Sequence, residues 1–262
     1  MNNMTQLTID IKPSQIESGI VEAPFDEGLS MLVKNGLELI SLPQNAQLRI
    51  QQGKGAYVSQ NGNWVREGLI YTPKGKPKLV RNSPILLSAK EATQAHREGK
   101  EFYQPNTNIL ESSLVDSIDF PEENTEIPTN RFNSNTLMVY AFGGEKEAQA
   151  YGEFLKEAGI TNIPIWAVDK NYVNKQTQPF ARQLWFGGLD DDGSGLIGGS
   201  RLVDDDGRVR GVRLNSGEAG ARKNSEPIKN SELYTPAQIT SALTELGMPG
   251  LEKQILGQLK AQ

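Results

Sequence analysis

Residues 183–214 read QLWFGGLDDDGSGLIGGSRLVDDDGRVRGVRL and carry the most informative pattern in the chain. Two Asp-Asp-Asp-Gly turns, Asp190–Gly193 and Asp204–Gly207, separate the runs Gln183–Phe186, Leu196–Val203 and Arg208–Leu214. Short strand-like runs between Asp-Gly turns are the signature of antiparallel hairpins. The stretch therefore predicts a meander whose successive acidic turns point to opposite ends of one sheet.

Upstream of it, Ile163–Val168 reads as a strand, and Thr136–Phe142 is a continuous apolar run that reads as another. Gly143-Gly144 leads from that run into a helix whose apolar face is Ala148, Tyr151, Leu155 and Ala158, closed by Gly159. The expectation is a strand–helix–strand unit with a right-handed crossover, extended by the meander. Downstream, Thr235-Pro236-Ala237-Gln238 starts a helix (Ile239, Ala242, Leu243, Leu246), and Leu251, Ile255, Leu256 and Leu259 form the second arm of a helical hairpin.

The first hundred residues read as mainly antiparallel β. Thr8–Ile11, Leu37–Ile40, Leu48–Ile50, Ala56–Val58, Trp64–Tyr71 and Lys78–Val80 are the strand candidates, with Asn61-Gly62 as a hairpin turn. Two helices interrupt them: one from Asp26 through Val33, stopped by Asn35-Gly36, and one opened by the capping box Ser88/Glu91 and running to about Phe102. From Gln104 to Asn135 the pattern dissolves into Pro, Asn, Ser, Thr and acids. The resulting fold class is α+β: a β-rich domain over 1–104, an acidic linker or loop over 105–135, and an α/β domain with meander and C-terminal helices over 136–262.

Composition removes whole classes of chemistry. The chain has 262 residues, no cysteine and one histidine, so disulfides, thiolate nucleophiles, cysteine-ligated zinc and multi-histidine metal sites are excluded. No stretch approaches the roughly 18 apolar residues of a membrane span. Met1–Gln6 lacks a basic start and an apolar run, which gives the expectation of a cytoplasmic protein. The net charge of −5 conceals a division. Residues 49–100 carry ten Lys/Arg against three Asp/Glu, a balance of +7, and residues 101–128 carry seven Asp/Glu and no Lys/Arg, a balance of −7. Two such segments either neutralise one another in the fold or leave a basic surface for an anionic partner.

Four candidate sites follow. Asp190, Asp192, Ser194 and Gly195 match part of a calcium loop, but Arg201 stands where a bidentate glutamate belongs. The turns are expected to be solvated, with no metal. Gly143-Gly144 lacks the spacing of a dinucleotide or P-loop motif, and Glu145 and Glu147 repel an anion. No cofactor is expected. His96 has no acid at metal-ligand spacing and no partner base in the local sequence. The last site interleaves aromatics with cations: Trp64, Arg66, Tyr71, Lys74, Lys76 and Lys78, residue types that stack on bases and contact phosphates. These residues give the partner-binding expectation. The chain reads as a binding or accessory protein that engages a macromolecular, polyanionic partner such as nucleic acid. The alternative is a carboxylate-dependent, metal-assisted hydrolase working from the Asp-rich turns.

Overall fold

Trp64 and Trp185 face one another across two antiparallel strands, their rings 5.3 Å apart and edge-on, and the sheet extends to either side of that pair. A computed structural model of the chain describes residues 7–10, 17–190, 193–204 and 207–213, with the backbone alone for 7–10. These residues fall in one compact unit, Met1–Ser216. The expected C-terminal helical hairpin lies outside the described residues.

In chain order the unit begins with β1 (Leu7–Asp10), β2 (Ser18–Glu22), α1 (Phe25–Lys34), β3 (Glu38–Leu39), α2 (Leu42–Gln52) and α3 (Tyr57–Gln60). Next come β4 (Asn63–Tyr71), β5 (Lys78–Val80), α4 (Ala89–Arg97), α5 (Thr107–Val115), β6 (Ser117–Asp119) and β7 (Thr125–Pro128). It continues through α6 (Thr136–Phe142), α7 (Glu145–Glu157), β8 (Asn162–Trp166), α8 (Lys170–Asn174), β9 (Phe180–Phe186), β10 (Leu196–Ile197) and β11 (Arg208–Val212). The strands form one mixed sheet in the order β1-β2-β11-β4-β9-β10-β8-β7, with β3 on β11, β5 on β4 and β6 on β5. The β4–β11 and β8–β10 pairs are parallel.

Each face of this sheet has its own core. Val65, Leu69, Tyr71, Phe180, Leu184 and Phe186 face α2, α6 and α7, meeting Leu48, Met138, Phe142, Tyr151 and Leu155. On the other face Trp64, Val21 and Val209 pack with Phe25 and Leu32 of α1 and with Leu202. β4 carries a bulge between Trp64 and Gly68. Gln183 patches it by donating its side-chain amide to the carbonyls of Val65 and Glu67, which the displaced ladder would leave unpaired.

The α+β class holds, and several finer expectations are corrected. Thr136–Phe142 is a helix: the Asn135 side chain accepts from Met138 N, and Gly143 closes the other end at φ 89°. Its buried residues, Leu137, Met138, Ala141 and Phe142, recur at helical spacing. The expected strand–helix–strand unit is therefore helix–helix–strand. Leu48–Ile50 lies inside α2, which opens on a complete capping box of Ser41 and Gln44 with Pro43 in the first turn. Tyr57 and Val58 are likewise helical. Ser88 precedes α4, but its side chain makes no cap bond, and the helix stops at Arg97.

The meander is broken. β10 pairs with β9 as expected, but β11 crosses the sheet to lie between β2 and β4. β9 is left, and β11 entered, at the end where β4 begins, since Phe186 stands opposite Asn63 and Val209 opposite Trp64. Both acidic connections thus reach the same end of the sheet. Residues 105–135 are no linker: they hold α5, β6 and β7, and bury Phe120, Ile127 and Phe132 in the main core. Strands from both sides of this stretch adjoin in one sheet, so no domain boundary falls at 104 or 136.

Candidate functional site

Arg49 is fully buried, and among the described residues it faces hydroxyls, carbonyls and a ring, with no carboxylate. Its place on α2 is set by Asn45 one turn earlier, whose Oδ1 accepts from Arg49 Nε at 3.0 Å, while Asn45 Nδ2 donates to Asn63 Oδ1 of β4 at 2.8 Å. Nη1 donates to the Gly187 carbonyl at 2.8 Å, to Ser194 Oγ at 3.2 Å and to the Tyr151 hydroxyl of α7 at 3.1 Å. The guanidinium carbon lies 3.9 Å above the Phe186 ring. Tyr151 and Ser194 are themselves 2.5 Å apart through their hydroxyls. One cation therefore ties both ends of the β9–β10 connection to two helices.

The backbone of that connection is closed on itself and on its neighbour. Gly187 N donates to Gly195 O at 2.8 Å, Ser194 N to Gly188 O at 2.7 Å, and Leu189 N to Ser59 O at 2.8 Å. Gly188 lies so close to the chain at Gln60 that a Cβ would stand 2.0 Å from the Gln60 carbonyl oxygen, an approach only glycine permits. The base of the connection is fixed, and Asp190 projects from it into solvent. A loop held by a rigid scaffold is the usual way a fold presents a contact surface.

Beside that loop lies an open part of the sheet. Residues directly opposite one another on paired strands share a face. Trp64 is opposite Trp185, Trp185 opposite Ile197, and Ile197 opposite Trp166, which makes one ladder across β4, β9, β10 and β8. At the β4 end the ladder is covered by Phe25 of α1 and by the 198–204 segment, where Ser200 Oγ accepts from Trp64 Nε1 at 3.1 Å. α1 packs mainly on β2, β3 and β11. Exposure rises accordingly from 1% at Trp64 to 51% at Trp166, with Trp185 and Ile197 between. Pro164, two residues before Trp166 and half-buried, continues the apolar surface, and Glu126 of β7 stands opposite it, exposed. Gly193 brings the loop to the same place, since a Cβ on it would lie 3.7 Å from Pro164 Cδ.

The residues singled out from the sequence are not gathered into a site. Trp64 and Tyr71 are 1% and 0% exposed; Tyr71 stacks on Phe180 with centroids 5.1 Å apart and serves the core. Arg66 pairs with Glu38 at 2.9 Å. Lys76 and Lys78 both bind Asp119, at 3.2 and 2.5 Å, and Arg81 approaches Asp116 at 3.8 Å. The basic and acidic segments thus meet through β5 and β6 and partly neutralise one another. Lys74 is exposed at a tight turn with φ 59°. No group of three or more histidine, aspartate and glutamate side chains converges on a metal position among the described residues; Asp191, Asp192, Asp205 and Asp206 lie outside them.

His96 is buried, and its Nδ1 accepts from Leu202 N at 3.2 Å. Burial, and then the charges of Arg182 and Arg201, press its pKa down to about 4. It is a neutral clasp on the 198–204 segment. Trp166 does not stand out in the sequence, because Ile163–Val168 reads as one apolar strand. The signal was there in the alternation, with Ile163 and Ile165 inward and Pro164 and Trp166 outward.

No family model matches the chain, and no curated protein matches it. The fold is similar to that of a solved structure concerned with the accommodation of massive sequence variation in Nanoarchaeota by the C-type lectin fold. The two are 22% identical with a TM-score of 0.57, over 78% of this chain and 100% of the other. The likeness is one of fold: helices around a mixed sheet, as described above. No helix among the described residues is long and apolar enough to cross a membrane.

Proposed function

We propose that the protein is a non-enzymatic binding or accessory protein that engages a macromolecular partner through the open face of β7, β8 and β10 and the adjoining 187–195 connection. The observation that carries this reading is Trp166. A tryptophan left 51% exposed at the far end of a ladder that starts from the buried Trp64 offers a large rigid contact on a flat surface. The connection beside it is anchored by Arg49, so the surface is organised before a partner arrives, which lowers the ordering cost of binding. The C-type-lectin-like scaffold is in keeping with a binding role without naming the partner.

The polyanion reading has weaker support, because Trp64 and Tyr71 are core residues and Lys76 and Lys78 already hold Asp119. A photo-crosslinking amino acid placed at position 166 tests the surface. It is expected to capture a macromolecule in an extract of the source cells, whereas the same probe at Leu87, more exposed at 74% but outside the face, is expected to capture little. Equal capture from both positions would refute this assignment.

A further inference from the structure

The charges around the face indicate what kind of partner it fits. Glu126 shares the outward side of the sheet with Trp166, because its register partner Pro164 lies two residues from Trp166 on β8. Asp190 is exposed on the connection that Gly193 brings against Pro164, and two more aspartates follow it directly in the sequence. Glu123 is exposed just before β7. Neither Glu126 nor Asp190 forms an ion pair with another described residue. Lys170, exposed four residues beyond Trp166, is held by Glu122 at 2.7 Å. That hydrogen bond and charge, with a further contribution from Glu123, raise its pKa. An exposed indole bordered by carboxylates that form no ion pair among the described residues suits a guanidinium or ammonium, which can stack on the ring while the acids meet its charge.

We infer that the partner of this face is a basic segment, rich in arginine and lysine, that lies across Trp166 with its side chains directed to Glu123, Glu126 and Asp190. This inference rests on the surface reading above and adds the chemistry of the partner. Neutral and acidic partners are the outcomes that oppose it.

The test uses the full chain and three fluorescent peptides of equal length: an oligo-arginine, an oligo-glutamate and a Gly-Ser control. Anisotropy titrations at 50 mM salt are expected to show binding of the arginine peptide alone, weakening about tenfold by 200 mM salt as exposed charges are screened. Trp166→Ala is expected to weaken it about tenfold or more, and Glu126→Gln with Asp190→Asn about threefold to tenfold. Trp166→Lys, which keeps a long stem at an exposed position, is expected to abolish it with the melting temperature unchanged. Arginine-peptide binding that ignores the Trp166 and Glu126/Asp190 changes would overturn the inference, because the charge would then be read elsewhere. Absence of arginine-peptide binding, with capture at position 166 intact, would overturn the basic partner and leave the surface standing. Loss of both would remove the surface as well.

Discussion

Arg49→Met is expected to destabilise the fold by about 3 kcal/mol or more, as three or more buried acceptors lose their donor at about 1–3 kcal/mol each. Two effects compete. Methionine removes a buried charge that no carboxylate among the described residues pairs with, and such replacements are sometimes neutral. It also strands Asn45 Oδ1 and the carbonyls of Gly187 and Phe186, all of which Arg49 serves. Tyr151 and Ser194 can still satisfy one another, so they add little to the loss. The stranded acceptors outweigh the relieved charge, because Asn45, Phe186 and Gly187 are all buried. Arg49→Lys keeps the charge but has no planar fork for five partners, and should recover only part of the loss. Urea unfolding measures the stability difference, and hydrogen exchange at Leu189 and Ser194 shows whether the connection loosens first. A methionine variant as stable as the wild type, with those amides still protected, would mean the connection is held without Arg49.

What could be read in the sequence, and what could not, divides along a physical line. Features set by a few adjacent residues were legible: α1 with its stop at Asn35-Gly36, the strand Trp64–Tyr71, and α7 with its apolar face. Seven apolar residues in a row at Thr136–Phe142 fit a buried strand and a buried helix equally well; the Asn135 cap and the Gly143 closure decide it, and both lie outside the run. Pro43 read as the end of a strand, yet with Ser41 before it and Gln44 after it the same proline marks the start of a helix. Nothing local announces that β11 leaves β10 to lie beside β4, because that pairing is specified by side chains more than a hundred residues apart. The site suffered most. Aromatics that suit a nucleic-acid surface also suit a core, and Trp64 and Trp166 share one face of the sheet; what covers the Trp64 end of that face, unknown from sequence, puts Trp64 inside and leaves Trp166 outside.

Two buried groups with opposed titrations should make stability change little across mildly acidic pH, and one substitution should uncover the slope beneath. Glu67 is 1% exposed, and although Leu42 N donates to its carboxylate at 2.9 Å, burial raises its pKa to about 7. Between about pH 4.5 and 7 the folded protein holds a proton that the unfolded chain has released, so Glu67 makes stability fall as pH rises through that window. His96 works the other way. Its folded pKa of about 4 lies below the unfolded value of 6.5, so the unfolded chain takes up a proton that the folded protein refuses. Its contribution is complete above pH 6.5 and is lost as pH falls toward 4. Each shift corresponds to about 3 kcal/mol at the far side of its window, and the windows overlap between about pH 4.5 and 6.5 with opposite slopes. Glu67→Gln removes one of them. Relative to wild type, the variant should gain about 3 kcal/mol on going from pH 4.5 to pH 8, and it should be the more stable protein above pH 7. His96→Gln, which retains an acceptor for Leu202 N, should show the reverse dependence, gaining on wild type as pH falls from 6.5 to 4. Urea unfolding of the three proteins at pH 4.5, 5.5, 6.5 and 8 gives both difference curves, in which the other carboxylates cancel. A flat difference curve for Glu67→Gln would place that carboxyl in contact with water, contrary to its burial beneath the first turn of α2.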